Sequence, residues 1–124
     1  MRILVFGTFD VLHPGHHFLL TEAAKRGDLH VVVARDAHVQ LIKGRLPKQS
    51  EEERLSALQA AYPQADICLG DKADFLAPVR AIKPDLILLG YDQKLPPGVS
   101  EEDLPCPTER LLAFEPHKWK SSLL

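Results

Sequence analysis

Two cysteines, Cys68 and Cys106, are all the thiol the 124-residue chain carries, and they stand at no metal-ligand or disulfide-framework spacing. No apolar run approaches the ~20 residues of a membrane span. Residues 1–6 begin a strand, so no signal peptide is expected. There is no basic block, and the net charge is −2, which leaves nucleic-acid binding without a footprint. Also missing are the Gly-Lys-Ser/Thr of a P-loop, the dinucleotide G-x-G-x-x-G, a serine or cysteine in a nucleophile elbow, and any internal repeat. P-loop hydrolysis, hydride transfer and acyl-enzyme chemistry are therefore unsupported. The hydrophobic share of 45% and charged share of 26% are ordinary for a soluble domain. One domain over 1–124 and a reduced, cytoplasmic setting are expected, with neither nucleic acid nor membrane as a partner.

What is present is an alternation of short apolar runs with amphipathic stretches. Ile3–Phe6, Leu29–Ala34, Ala65–Gly70, Leu86–Gly90 and Arg110–Phe114 read as strands, β-branched or leucine-rich and bounded by breakers. Between them, Leu19, Leu20, Ala23 and Ala24 define one face of a helix that stops at Gly27. Residues 36–42 form a short helix, followed by a loop, Lys43-Gly44-Arg45-Leu46-Pro47-Lys48, with three cations and two breakers. Ser50 and Glu53 form a capping box for a helix that turns Leu55, Leu58, Ala61 and Tyr62 inward. Phe75, Leu76, Val79 and Ile82 mark another, with Asp74 as its cap and Pro78 confined to its start or to a kink. Residues 94–109 are Pro-rich and acidic, with one or two helical turns at Ser100–Leu104. The sum is a single Rossmann-like α/β domain: a doubly wound, mostly parallel sheet of about five strands with helices on both faces. Parallel strands bring the polar clusters Gly7–His16, Arg35-Asp36 and Tyr91-Asp92-Gln93 to one sheet edge.

The first cluster carries the chemistry. Gly7-Thr8-Phe9-Asp10-Val11-Leu12-His13-Pro14-Gly15-His16 is a strand exit leading into a helix start, with Pro14 in the first turn, where its missing N–H costs nothing. A helix N-terminus offers free N–H groups and partial positive charge to an anion, and two imidazoles flank it. Any one of these residues has a bland explanation as a turn or cap residue. Together they describe a phosphate site. Zinc at His13, His16 and His17 is disfavoured, since no carboxylate or thiol completes the ligand set at a recognisable spacing. Arg54 is open to two readings, a surface residue or one turned towards the phosphates.

The stretch resembles the signature G-T-F-D-x-x-H-x-G-H of the cytidylyltransferase-like nucleotidyltransferases, matching at every fixed position. That resemblance implies transfer of a nucleoside monophosphate from a nucleoside triphosphate to a phosphate-bearing acceptor, with release of pyrophosphate. It implies that His13 and His16 contact the triphosphate, His16 at the α-phosphate, with Lys43 as a further catalytic cation. Gly7, Thr8, Phe9, Asp10 and Gly15 would bind nucleotide, as would Gly90, Tyr91, Asp92 and Gln93 at the base and ribose. Asp36 and Arg54 would meet the acceptor. Mg²⁺ would come with the triphosphate, bound through phosphate oxygens rather than by a protein cage, and a homodimer is expected by analogy. Ser121 and Ser122 resemble the start of the family's last motif, a Ser/Thr pair at a helix N-terminus. The given sequence stops at Leu124 before that helix, so either the chain is trimmed here or both serines contribute less than usual.

The Ala34-Arg35-Asp36 turn together with Leu89-Gly90-Tyr91-Asp92-Gln93 looks most like the archaeal-type FAD synthases, which move AMP from ATP to FMN. A CTP-dependent enzyme acting on a glycerol 3-phosphate-like acceptor is the alternative. In that group a tryptophan more often stands where Gln93 does, and an Arg-Thr pair that is absent here precedes the final serine. A nucleotide-binding module without turnover is the third reading.

Overall fold

Strands form where short β-branched or leucine-rich runs break at polar turns. β1 (Arg2–Gly7), β2 (Asp28–Val33), β3 (Asp66–Leu69), β4 (Leu86–Leu89) and β5 (Thr108–Arg110) make one sheet in the computed structural model, which describes residues 1–91, 93–96 and 98–111. The strand order is β3-β2-β1-β4-β5 and every pairing is parallel. The helices are α1 (Pro14–Arg26), α2 (Asp36–Lys43), α3 (Glu51–Ala61) and α4 (Leu76–Ile82).

Alternate residues of the central strand enter opposite layers, as a strand covered on both faces must. On one side Ile3 and Val5 meet Leu19, Leu20 and Ala23 of α1 and Leu58 of α3. On the other, Leu4 and Phe6 meet Val79 of α4 and Leu104 from the segment after β4. The fold is the expected doubly wound α/β sheet. The chain moves outward from β1 to β3 and then crosses to β4 on the other side of β1. The strand order therefore reverses between β1 and β4, where open α/β sheets seat their ligands.

Several local expectations shift. The last strand begins at Thr108, not Arg110; as an edge strand it carries exposed Glu109 and Arg110, so apolarity is a poor guide to its bounds. Leu112, Ala113 and Phe114 lie outside the described residues. Ala24 and Ala61, expected inward, are exposed. In α3 the buried stripe runs through Arg54, Leu58 and half-buried Tyr62, and Ala61 falls to one side of it at about 100° per residue. Both halves of the Ser50–Glu53 capping box form. Lys43 closes α2 rather than opening the loop, and Gly44, left-handed at φ 75°, caps it.

Gly27 ends α1 for another reason than the expected helix stop. Its φ of 165° is extended backbone, and a Cβ there would run into the Met1 carbonyl oxygen, which accepts the Asp28 N–H at 2.8 Å. Gly27→Ala should therefore lower stability by about 1–3 kcal/mol through overpacking. The urea midpoint should fall at unchanged m-value.

Candidate active site

The helix α1 begins with a reciprocal histidine cap. His13 Nδ1 accepts the backbone N–H of Gly15 at 3.1 Å and of His16 at 3.4 Å, while His16 Nδ1 accepts the His13 N–H at 3.4 Å. The two rings stack with centroids 3.7 Å apart at 21°. Since each Nδ1 is an acceptor, each neutral ring carries its proton on Nε2. The pair thus presents two Nε2–H donors beside the N-terminal end of the helix. Gly15 is needed here because a Cβ would stand 2.9 Å from the His13 ring. Half-buried His16 also packs edge-on to buried Phe9 at 5.4 Å. Burial first, then the charges of His13, His17 and Lys43, lower its pKa to about 4, so the ring is neutral at physiological pH.

The loop before this helix is held in an unusual shape. Phe9 and Val11 both lie in the left-handed region, at φ 54° and 56°, although neither is glycine. Such residues persist only where the surroundings over-determine them. Here the loop is clamped from the segment before α3. Asp10 accepts the N–H groups of Lys48 at 2.8 Å and Gln49 at 2.9 Å, and Gln49 Oε1 accepts the Val11 N–H at 3.0 Å. Burial opposes ionisation of Asp10, but those two N–H groups and the Arg54 charge hold its carboxyl below the usual range.

Arg54 is fully buried, at 0% exposure, and forms the bolt of this clamp. Its Nη1 donates to the carbonyls of Thr8 and Ala34, each at 2.8 Å, its Nε to Gln49 O at 3.2 Å, and its Nη2 to Asp36 Oδ1 at 2.7 Å. The carboxylates of Asp36 and Glu51 each accept the other's backbone N–H, and Arg35 joins Glu51 to the Gly70 carbonyl at the end of β3. The Asp36 N–H and then the Arg35 guanidinium keep the Glu51 carboxyl below its usual value, against the opposing effect of burial. Arg54 and Asp36, expected at the acceptor, are not among the residues that line the cleft and instead tie together the segments that do. Nothing in the local sequence announces this, because every partner of Arg54 except Gln49 comes from another element. Gln49 carries no signal in the sequence either, its amide being indistinguishable there from that of a surface residue.

At the far side of the switch point, the Gln93 side chain takes the Gly90 N–H at 3.0 Å and donates to Phe6 O at 2.6 Å. It thereby pins the ends of β1 and β4 together. Arg110 Nη1 donates to the carbonyls of Gly90 and Gln93. Between these walls lies an open cleft of about 1330 Å³, larger than the roughly 300–1,000 Å³ of a single-ligand pocket. It is lined by Gly7, Thr8, Phe9, Asp10, His13, Gly15, His16, Lys43, Gly90, Tyr91 and Gln93, and additionally by Arg45 and Lys48. Asp92, Ser121 and Ser122 lie outside the described residues. No described cluster of three or more His, Cys, Asp or Glu side chains could hold a metal ion, and Asp10 is already committed to the loop. No described helix is long and apolar enough to cross a membrane.

A family model described as Cytidylyltransferase-like matches residues 4–107. The chain belongs to that family. The FAD synthase of Methanosphaerula palustris is 48% identical to this cytidylyltransferase-like chain over 104 residues, covering 83% of it and 67% of that protein. The FAD synthase of Methanospirillum hungatei JF-1 is 46% identical over 105 residues, covering 84% and 66%. The chain thus spans about two thirds of the length of these relatives. The crystal structure of a lipopolysaccharide core biosynthesis protein from Thermoplasma volcanium GSS1 superimposes with a TM-score of 0.81 at 32% identity, covering 93% of this chain and 98% of that one.

Proposed function

We propose that this protein is an FMN adenylyltransferase, joining the AMP moiety of ATP to FMN and releasing pyrophosphate. The observation that carries the reading is the reciprocal histidine cap, which occupies both Nδ1 atoms and leaves the two Nε2 positions beside a helix N-terminus, where phosphate is favoured. FAD synthase relatives at 48% and 46% identity point to the same acceptor. A phosphate oxygen of FMN attacks the α-phosphorus, and the bond to the oxygen bridging to the β-phosphorus breaks. Pyrophosphate leaves with that electron pair. The protein's part is to align the two phosphates and stabilise the charge that builds between them. His16 donates to the α-phosphate oxygens, and His13 and the α1 N-terminus hold the phosphates beyond. Lys43 brings a cation across the cleft, near enough to depress the His16 pKa. Gly90, Tyr91 and Gln93 frame the base, and Mg²⁺ entering with the triphosphate would neutralise part of its charge. A homodimer belongs to the same reading.

The test is pyrophosphate release with Mg²⁺ and each pairing of ATP or CTP with FMN or glycerol 3-phosphate. Release with ATP and FMN alone is expected. Release only with CTP and glycerol 3-phosphate would reassign the substrates, and tight ATP binding without turnover would make the chain a binding module. In this assay Lys43→Ala should lower kcat/KM by about tenfold, as expected when an exposed cation is removed from a phosphate site. A silent substitution would reduce residues 43–48 to a solvated surface loop.

A further inference from the structure

The cleft has a second lobe that the phosphate chemistry leaves unused. It opens on the α4 face of the sheet, where buried Phe6 and Val32 form the floor. One wall is Phe75 and Leu76 at the start of α4, and the other is Leu95 and Val99 in the segment after β4. Each wall residue is half-buried, giving part of its surface to the core and the remainder to the lobe. Phe75 stands edge-on to Phe6, with centroids 4.9 Å apart at 80°. Several polar groups at the rim are already engaged. Asp71 accepts the N–H groups of Ala73 and Asp74, and His38 Nε2 lies 3.0 Å from the Lys72 carbonyl oxygen.

Such walls cost a phosphate or ribose its hydration without replacing it, and they supply no side-chain partners for the hydrogen-bonding edges of adenine. They suit a flat, uncharged, apolar ring edge. Resting on the FMN reading above, we propose that this lobe seats the dimethylbenzene half of the FMN isoalloxazine ring. Phe75 and Val99 form opposite walls. The cleft then holds two substrates end to end, which accounts for its size. The nucleotide lies along the β1 and β4 turns, and the acceptor ring lies between α4 and the 95–99 segment. Their phosphates meet at the histidine cap.

Riboflavin carries the ring without the phosphate, so its binding, followed by flavin fluorescence, tests the seat without turnover. Phe75→Ala and, on the other wall, Val99→Ser should each weaken riboflavin binding about three- to tenfold, the usual scale for loss of one well-packed ring contact. The KM for FMN should rise by a similar factor. The KM for ATP should stay within about twofold of wild type if the ring contact is confined to the acceptor. Val99 stands outside every helix and strand, so its variant keeps the test open if Phe75→Ala does not fold. Unchanged riboflavin binding in folded variants, or a raised KM for ATP instead, would overturn the seat while leaving FMN transfer intact. Riboflavin binding that weakens in the variants, without pyrophosphate from ATP and FMN, would sink the transfer reading and support the seat. No saturable binding of riboflavin or FMN to the wild-type protein would overturn it outright.

Discussion

His16→Ala should lower kcat about 10²–10³-fold, the cost of losing one preorganised donor to charge that develops in the transition state. Its ring faces the phosphate end of the cleft with Nδ1 held by the His13 N–H, so only Nε2–H is free to respond as the α-phosphorus is attacked. The KM for ATP should move far less, because under the proposed reading the helix N-terminus, His13 and Lys43 would still hold the triphosphate. A matched rise in KM at constant kcat would mean that His16 binds the ground state and no more. His16→Gln should recover part of the loss, since an amide N–H reaches towards the same place, although it cannot reproduce the stacked ring.

The pH dependence follows from the same ring. In the folded protein His16 has a pKa of about 4, against about 6.5 for an unfolded imidazole. The kcat/KM profile, which reports groups of the free enzyme, should therefore show no inflection from His16 near pH 6.5. An inflection there that disappears in His16→Ala would show a solvated ring. For stability the sign is that of a depressed folded pKa. Unfolding takes up a proton between these two values, so the contribution of His16 is fully present above about pH 6.5 and is lost as the pH falls towards 4. Urea midpoints of wild type and His16→Ala should converge over that window.

The sheet was legible in the sequence because the inner strands are apolar runs broken only by His30 in β2, and because strand, helix, strand in so short a space admits essentially one hand and one pairing. The placement of His13 and His16 at the helix start was legible because it is local to residues 13 to 16, whereas their reciprocal capping bonds were not. Arg54 was not. A lone arginine in the first turn of an amphipathic helix reads as surface or as a phosphate ligand. Its burial depends on Thr8, Ala34 and Asp36 arriving from three other places in the chain. The left-handed conformations at Phe9 and Val11 were equally hidden, since the residue types argue against them and only the clamp from Asp10 and Gln49 enforces them. The bounds of edge strand β5 escaped through polarity, its register against β4 being set by backbone pairing at Ile87, Leu88 and Leu89.

Arg54→Ala should be strongly destabilising, at about 3–5 kcal/mol, because it removes a fully buried guanidinium from its ion pair with half-buried Asp36 and from three carbonyls. The Asp36 carboxylate would lose its Nη2 partner, and the carbonyls of Thr8, Ala34 and Gln49 would be left without theirs. Against a whole-domain stability of about 5–15 kcal/mol, that loss brings the protein near its unfolding threshold. Arg54→Lys should restore only a fraction, since an ammonium is a point charge and cannot span four acceptors in one plane. The pair can be separated from the carbonyl bonds by a double-mutant cycle. Asp36→Asn in the wild-type background should cost more than Asp36→Asn in Arg54→Met, where the cation is already gone. Because the same guanidinium holds Thr8 at the mouth of the cleft, folded Arg54→Lys should also lose turnover while binding ATP, as the loop relaxes away from the histidine cap. Equal stability of Arg54→Ala and wild type in urea would dismiss the clamp, and would leave the strained loop at Phe9 and Val11 without the restraint that explains it.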